Sequence, residues 1–187
     1  VVSLNGKILV DVKTSGDEAM LLANSLSNAT IIVSENRIKA ILKAKELGCK
    51  IIFLDDGFSK YQISKFNILL RPKDEPTNIF CLPSGGYREP KGFYAQANIE
   101  LLEGTDFERV ISIKNDGKVC ELPAKTILIT AISKPKRLLE FLPKDIKMIS
   151  FPDHYTFTKD DIFKIQNEYK DYSFVTTGKD FVKLKEF

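Results

Sequence analysis

Residues 51–61 read IIFLDDGFSKY, four apolar residues running straight into Asp55, Asp56 and Gly57. In open α/β sheets, ligands bind beyond the carboxyl ends of the strands. Two adjacent carboxylates at such an end can hold a hydrated Mg²⁺, as the strand-end acid of P-loop phosphotransferases does. Burying those charges without a cation would be costly. A solvated Asp-Asp-Gly turn explains the same three residues. A phosphatase of the haloacid dehalogenase type needs a second Asp two residues after the first, where Gly57 stands here, and is set aside.

Three other stretches carry chemistry. LPSGGYREP (82–90) places Arg88 and Glu89 after a glycine pair. An Arg there can clamp a phosphate bidentately, or form a surface ion pair. FPDHYTF (151–157) holds the single histidine, His154, beside Asp153. A lone His is often structural, yet a flanking carboxylate suits an oriented imidazole. GDE (16–18) puts Asp17 at the opening of a helix, where capping is the plain role.

These residues need a scaffold, and the pattern around them is α/β. Ser3 to Val12 reads as a hairpin turning at Asn5-Gly6. AMLLANSL (19–26) is a short helix, and ATIIV (29–33) a buried strand. Ser34 is a plausible N-cap for the helix ENRIKAILKAKELG, which ends at Gly48. KIIFL (50–54) and FNILL (66–70) are further strands, and residues 71–92, rich in Pro and Gly, form loop. VISIKNDGKVCEL (110–122) alternates about Asp116-Gly117 as a hairpin. A second α/β run follows: strand TILITAI (126–132), helix KPKRLLEFL, strand KMISF (147–151), helix KDDIFKIQNEY (159–169) and strand YSFVT (172–176). Strand–helix–strand order points to parallel sheets.

Bulk composition narrows the class. With 43% hydrophobic and 28% charged residues among 187, the chain is an ordinary globular one with a core. A net charge of +3 is too balanced for the basic stripe of a nucleic-acid binder. Cys49, Cys81 and Cys120 are scattered and odd in number, which argues against zinc and against a disulfide framework. No run approaches the ~18 apolar residues of a membrane span. The sequence starts at Val1 in mid-pattern, so residues upstream are expected to be missing.

Taken in order, GDEAMLLA (16–23), SENR (34–37), IIFLDDGF (51–58), LPSGGYREP (82–90), AISKP (131–135), FPDHYTF (151–157) and TTGKDFVKL (176–184) resemble one family, the tetraacyldisaccharide 4'-kinases of lipid A biosynthesis in Gram-negative bacteria. The resemblance spans nearly the whole chain. It implies an α/β fold with a P-loop-kinase-like parallel sheet core, N-terminally truncated, and a second smaller α/β lobe joined by a β-hairpin linker. On that reading residues 1–109 are the remainder of the kinase domain, 110–122 the linker and 123–187 the second lobe. The implied activity is transfer of the γ-phosphate of ATP to the 4'-hydroxyl of a tetraacyldisaccharide 1-phosphate, at the cytoplasmic face of the inner membrane.

Carried over by motif, Asp17 is the implied general base and His154 its partner. Asp55 and Asp56 serve Mg²⁺ and ATP, and Arg88 and Glu89 line the phosphate site. The partners implied are the lipid A disaccharide precursor and the membrane surface, with no nucleic acid; the oligomeric state stays open.

The sequence departs from the family pattern in places. The phosphate-cradling GxxxxGK[ST] is absent and is expected before Val1, so the 187 residues alone are expected to have little activity. Ser59-Lys60 replace Gln-His, Gly178 replaces Glu, and Tyr155 replaces a second His, leaving His154 as the imidazole candidate. Two other readings remain: a P-loop-less glycolipid-binding or regulatory paralogue, and a small metal-dependent phosphate-handling α/β protein using Asp55 and Asp56.

Overall fold

The computed structural model describes residues 1–185 and 187. It has two compact units, one of residues 1–48 with 112–187 and the other of residues 49–111.

The first unit opens with strands β1 (Ser3–Leu4) and β2 (Lys7–Ile8), antiparallel about Asn5-Gly6 as the sequence predicts. Both turn residues have the left-handed backbone that this two-residue turn requires. The hairpin is shorter than expected, because helix α1 (Val12–Ser15) starts at an Asp11 cap. Helices α2 (Asp17–Ser25) and α3 (Arg37–Glu46) follow. Asn36, not Ser34, caps α3, its side chain accepting from the backbone N–H of Ile38 and Lys39. Ser34 instead accepts from Asn36 N and sets the turn before the cap. Residues 29–33 form no strand. Only an isolated bridge joins Ile31 to Ser3, since β1 is too short to ladder with the whole segment.

The second unit contains strands β3 (Ile68–Arg71) and β4 (Ile99–Leu102), paired in parallel with Ile68 opposite Ile99. A 3₁₀ turn at Lys91–Gln96 precedes β4. The expected strand at 50–54 is not formed: Ile51 and Phe53 are 75% and 87% exposed, and 50–54 pairs with no strand among the described residues. A run of β-formers becomes a strand only when another backbone takes its N–H and C=O groups.

Returning to the first unit, β5 (Lys114–Asn115) and β6 (Lys118–Val119) make the hairpin expected at Asp116-Gly117. The sheet core is β7 (Thr126–Thr130), β8 (Lys147–Ser150) and β9 (Ser173–Thr176), all parallel in the order β8-β7-β9. All five residues of the central strand β7 are buried, in keeping with its unbroken apolar run Ile127–Ile129 flanked by two threonines. The segment after β7 forms a 3₁₀ turn at Pro135–Phe141 rather than an α-helix. Helix α4 (Lys159–Glu168) starts in a capping box between Thr158 and Asp161. Helix α5 (Gly178–Leu184) ends the described elements.

Two apolar clusters hold this unit. Ile127, Ile129, Ala131, Phe157 and Ile165 pack α4 against the sheet. Val2, Met20, Ala23 and Val182 join the hairpin, α2 and α5. The second cluster brings the start of α2 to the carboxyl edge of the sheet.

Candidate functional site

Asp17 is the first residue of α2 and is 9% exposed. Gly16, before it, has φ +81°, in a backbone region that residues with a Cβ rarely adopt; a Cβ there would have open space, so conformation rather than room calls for glycine. The Asp17 carboxylate is held at both oxygens. Oδ1 accepts from Glu18 N at 2.9 Å, and Oδ2 lies 3.2 Å from Nδ1 of His154.

His154 comes four residues after β8, on a turn where its own φ is +59°. Its N–H donates to Ala131 O, just past β7, and to the Asp153 side chain. Fixing a non-glycine residue in this conformation costs about 1–2 kcal/mol, and the turn holds it there with those two bonds. A carboxylate only accepts, so the Nδ1–H of His154 is the donor to Asp17. Nε2 faces Lys179 Nζ at 3.4 Å and Asp153 Oδ2 at 3.9 Å.

Sequence reasoning assigned no role to the cations that complete this cluster. Lys183 Nζ lies 3.6 Å and Lys179 Nζ 4.0 Å from Asp17 Oδ2. Lys179 also pairs with Glu18 at 3.2 Å. Lys183 pairs with Oδ1 of fully buried Asp180 at 3.1 Å, an ion pair whose angles fall short of a hydrogen bond. Asp180 Oδ2 accepts from Thr130 Oγ1, Ala131 N and Thr177 Oγ1 at 2.9–3.0 Å. Burial pushes the Asp180 carboxyl up, but the Ala131 N–H, the Thr177 hydroxyl, Lys183 and the Thr130 hydroxyl outweigh it and leave the group below its ordinary range. The signal for α5 was present as Thr177 three residues before Asp180, a capping-box spacing; Lys183, three further on, shares that helix face.

Tyr155, which stands where the resemblance expected a second His, is an anchor. Its ring packs on Phe151 and Phe157, and its hydroxyl donates to Asp161.

Asp55, Asp56, Arg88 and Glu89 belong to the second unit. Asp56, not Gly57, carries the left-handed backbone of the turn, at φ +48°. Gly57 is buried and serves by its size, since a Cβ there would stand 2.6 Å from Leu54 Cβ. Arg88 Nη1 donates to Asp56 Oδ2 at 2.9 Å, with both side chains open to solvent. One residue on, Glu89 accepts from the Tyr61 hydroxyl at 2.7 Å. That bond, with a smaller contribution from burial, pushes the Tyr61 hydroxyl up to about 12. The 82–90 loop is thus joined to the 55–61 loop by consecutive residues. Behind it, Glu75 accepts from Lys91, Arg71 and the Tyr87 hydroxyl, and these partners hold its carboxyl down at about 2. Asp55 is exposed beside Asp56, so both acids reach solvent rather than a closed interior.

Comparison with known proteins identifies the family. The family described as LpxK, tetraacyldisaccharide-1-P 4'-kinase, matches residues 2–187. A tetraacyldisaccharide 4'-kinase of Aliarcobacter butzleri is 78% identical over all 187 residues, and one of Helicobacter pylori is 46% identical over the same span. The chain covers 60% and 58% of those two relatives, so it spans less than two thirds of their length. The crystal structure of the "apo" form of LpxK from Aquifex aeolicus in complex with ATP is 26% identical, with a TM-score of 0.68, over 100% of this chain and 65% of that one. With a match over nearly every residue and an α/β parallel-sheet fold in common, the chain belongs to the tetraacyldisaccharide 4'-kinase family.

Proposed function

We propose that this chain supplies the proton-accepting site and part of the nucleotide site of a kinase that transfers the γ-phosphate of ATP to the 4'-hydroxyl of a tetraacyldisaccharide 1-phosphate. The observation that carries this reading is the Asp17–His154 contact. Phosphoryl transfer asks the protein mainly for positioning and charge neutralisation. A fixed carboxylate can take the proton that the attacking hydroxyl loses. The Nδ1 proton of His154 holds Asp17 in place for that step, and Lys179 fixes the imidazole from its other side.

Asp55 and Asp56 would hold Mg²⁺. Their hard oxygen donors and open position fit an ion that takes one or two carboxylates and completes its shell with water and phosphate. No group of three or more His, Cys, Asp or Glu suited to a metal occurs among the described residues. Bound there, Mg²⁺ would offset the charge of the triphosphate. Arg88 and Glu89 would face the phosphates, Arg88 as the cation.

For the longer protein we propose residues 1–109 as the remainder of the kinase domain, 110–122 as its hairpin linker and 123–187 as the smaller lobe. The hairpin at 114–119 supports the linker, while the compact units divide the chain differently, joining residues 1–48 to 112–187. The working location is the cytoplasmic face of the inner membrane, because the acceptor is a lipid. Among the described residues no helix is long and apolar enough to cross a membrane. The 187 residues by themselves are proposed to have little activity, since the sequence lacks GxxxxGK[ST].

The test is Asp17→Asn in a full-length relative-sized kinase. Loss of a proton acceptor should lower kcat by ~10²–10⁴-fold with little change in the KM for ATP. Parental kcat in Asp17→Asn sinks the reading. Tight glycolipid binding that ignores ATP would instead favour a binding module.

A further inference from the structure

The buried charges behind Asp17 are more elaborate than capping or helix docking demands. Helix α5 is already joined to α2 by Val182 against Met20 and Ala23. An ionic cluster in such a place is poor evidence of added stability, because desolvation offsets much of the attraction. Here it is nonetheless built in full. Lys183 is largely buried, and its ammonium is pinned on three sides: Asp180 Oδ1 at 3.1 Å, Tyr155 O accepting at 3.1 Å, and the Phe157 ring at 5.4 Å. Asp180 is itself fixed to the carboxyl end of β7 through Thr130 and Ala131. A lysine ordinarily swings on a flexible four-carbon stem; this one has a set position 3.6 Å from Asp17 Oδ2.

We propose that Lys183 is a positioning residue for the reaction: clamped by Asp180, it balances the charge of Asp17 and holds that carboxylate in its proton-accepting orientation. Lys179 has a different place. It lies farther from Asp17, faces Glu18 and His154, and is the cation of the imidazole side. The inference rests on the reading of Asp17 as proton acceptor given above.

The experiment is a double-mutant cycle in the full-length kinase, with Lys183→Met and Asp17→Asn singly and together, measuring kcat and the KM of ATP and of the lipid acceptor. Lys183→Met should lower kcat about 10–100-fold, the range of one charge-assisted contact to an anion, and leave both KM values within about twofold. In the Asp17→Asn background it should cost nothing further, because the group it serves is gone. A purely structural lysine would slow both backgrounds by the same factor, and that result, or parental kcat in Lys183→Met, overturns the proposal. Should Lys183→Met not fold, Asp180→Asn loosens the clamp and enters the same cycle with the same two outcomes. Parental kcat in Asp17→Asn alone would instead remove the reading on which the inference rests, so the two failures are told apart.

Discussion

Asp17 and His154 are 137 positions apart in the chain, yet the carboxylate and the imidazole meet at 3.2 Å. The contact is set by two backbone devices, a glycine at φ +81° before one residue and a left-handed turn at the other. The imidazole and the turn that presents it can therefore be separated by mutation. His154→Asn keeps a residue that tolerates the left-handed conformation while removing the imidazole. It should keep a near-parental melting temperature and lose about 10–100-fold in kcat. His154→Val loses the ring and strains the turn, so its melt should fall as well, by about 1–2 kcal/mol of stability. Steady-state kinetics and thermal melts of the two variants check this.

The second prediction concerns acid. Asp180 titrates below its ordinary range in the fold, so its contribution to stability is present above the unfolded-state value and is lost as pH falls through the lower folded value. Asp180→Ala takes the nearest anion from the largely buried Lys183 and should cost on the order of 3–5 kcal/mol at neutral pH. The difference from the parent should shrink as pH drops below the usual carboxylate range. Denaturant melts across that range decide it; a constant difference at every pH would refute the assignment.

Glu75 gives a clearer window. Its carboxyl sits at about 2 against an ordinary 4.5, so the stability it lends is complete above 4.5 and disappears between 4.5 and about 2. Glu75→Gln should be less stable than the parent at neutral pH and should converge with it near pH 2. Melting temperatures of the pair measured down that range carry the test.

Tyr61 titrates in the opposite direction. Its hydroxyl is raised from 10 to about 12 by donation to Glu89, so the bond contributes below pH 10 and is lost as pH rises through about 12. The phenolate absorbance of the parent minus that of Tyr61→Phe should appear near pH 12. In Glu89→Gln the same difference should move back toward 10, and an unmoved curve would show that Glu89 is not the cause.

Asp56 and Arg88 form an exposed pair, and such pairs add little to stability. Asp56→Asn should melt with the parent. In the full-length kinase it should nonetheless raise the Mg²⁺ concentration needed for half-maximal rate several-fold, if the acid holds the ion. An unchanged Mg²⁺ titration would exclude Asp56 as a ligand.

Much of the sheet unit was legible because its signals are local. The β-forming runs of β7, β8 and β9 and the helical pattern of α4 are each contained within a few residues. What misled was whatever depends on a distant backbone. Residues 50–54 have the composition of a strand, but composition does not name a partner. Strand β4 was missed because IELL follows a polar, loop-like stretch and becomes a strand only against β3. Asp17 and His154 were singled out by their places at element ends and given paired roles only through the resemblance, since neither stretch alone favours chemistry. Lys183 and Asp180 went unassigned because an exposed-looking KD and KL in a short helix give no hint of burial, which here comes from α2 and the end of β7.

The first unit is discontinuous, made of residues 1–48 and 112–187 with the second unit between them. On a ribosome, which adds roughly 5–20 residues each second, Asp17 emerges long before the residues that define it. Residues 49–111 can collapse on themselves while α2 still waits, its carboxylate without imidazole or lysine. His154, Lys179, Asp180 and Lys183 all follow Asp17 by 137 positions or more. The site is thus assembled only once those later residues have emerged, and a chain stalled before them would carry its acid in solvent without imidazole or lysine.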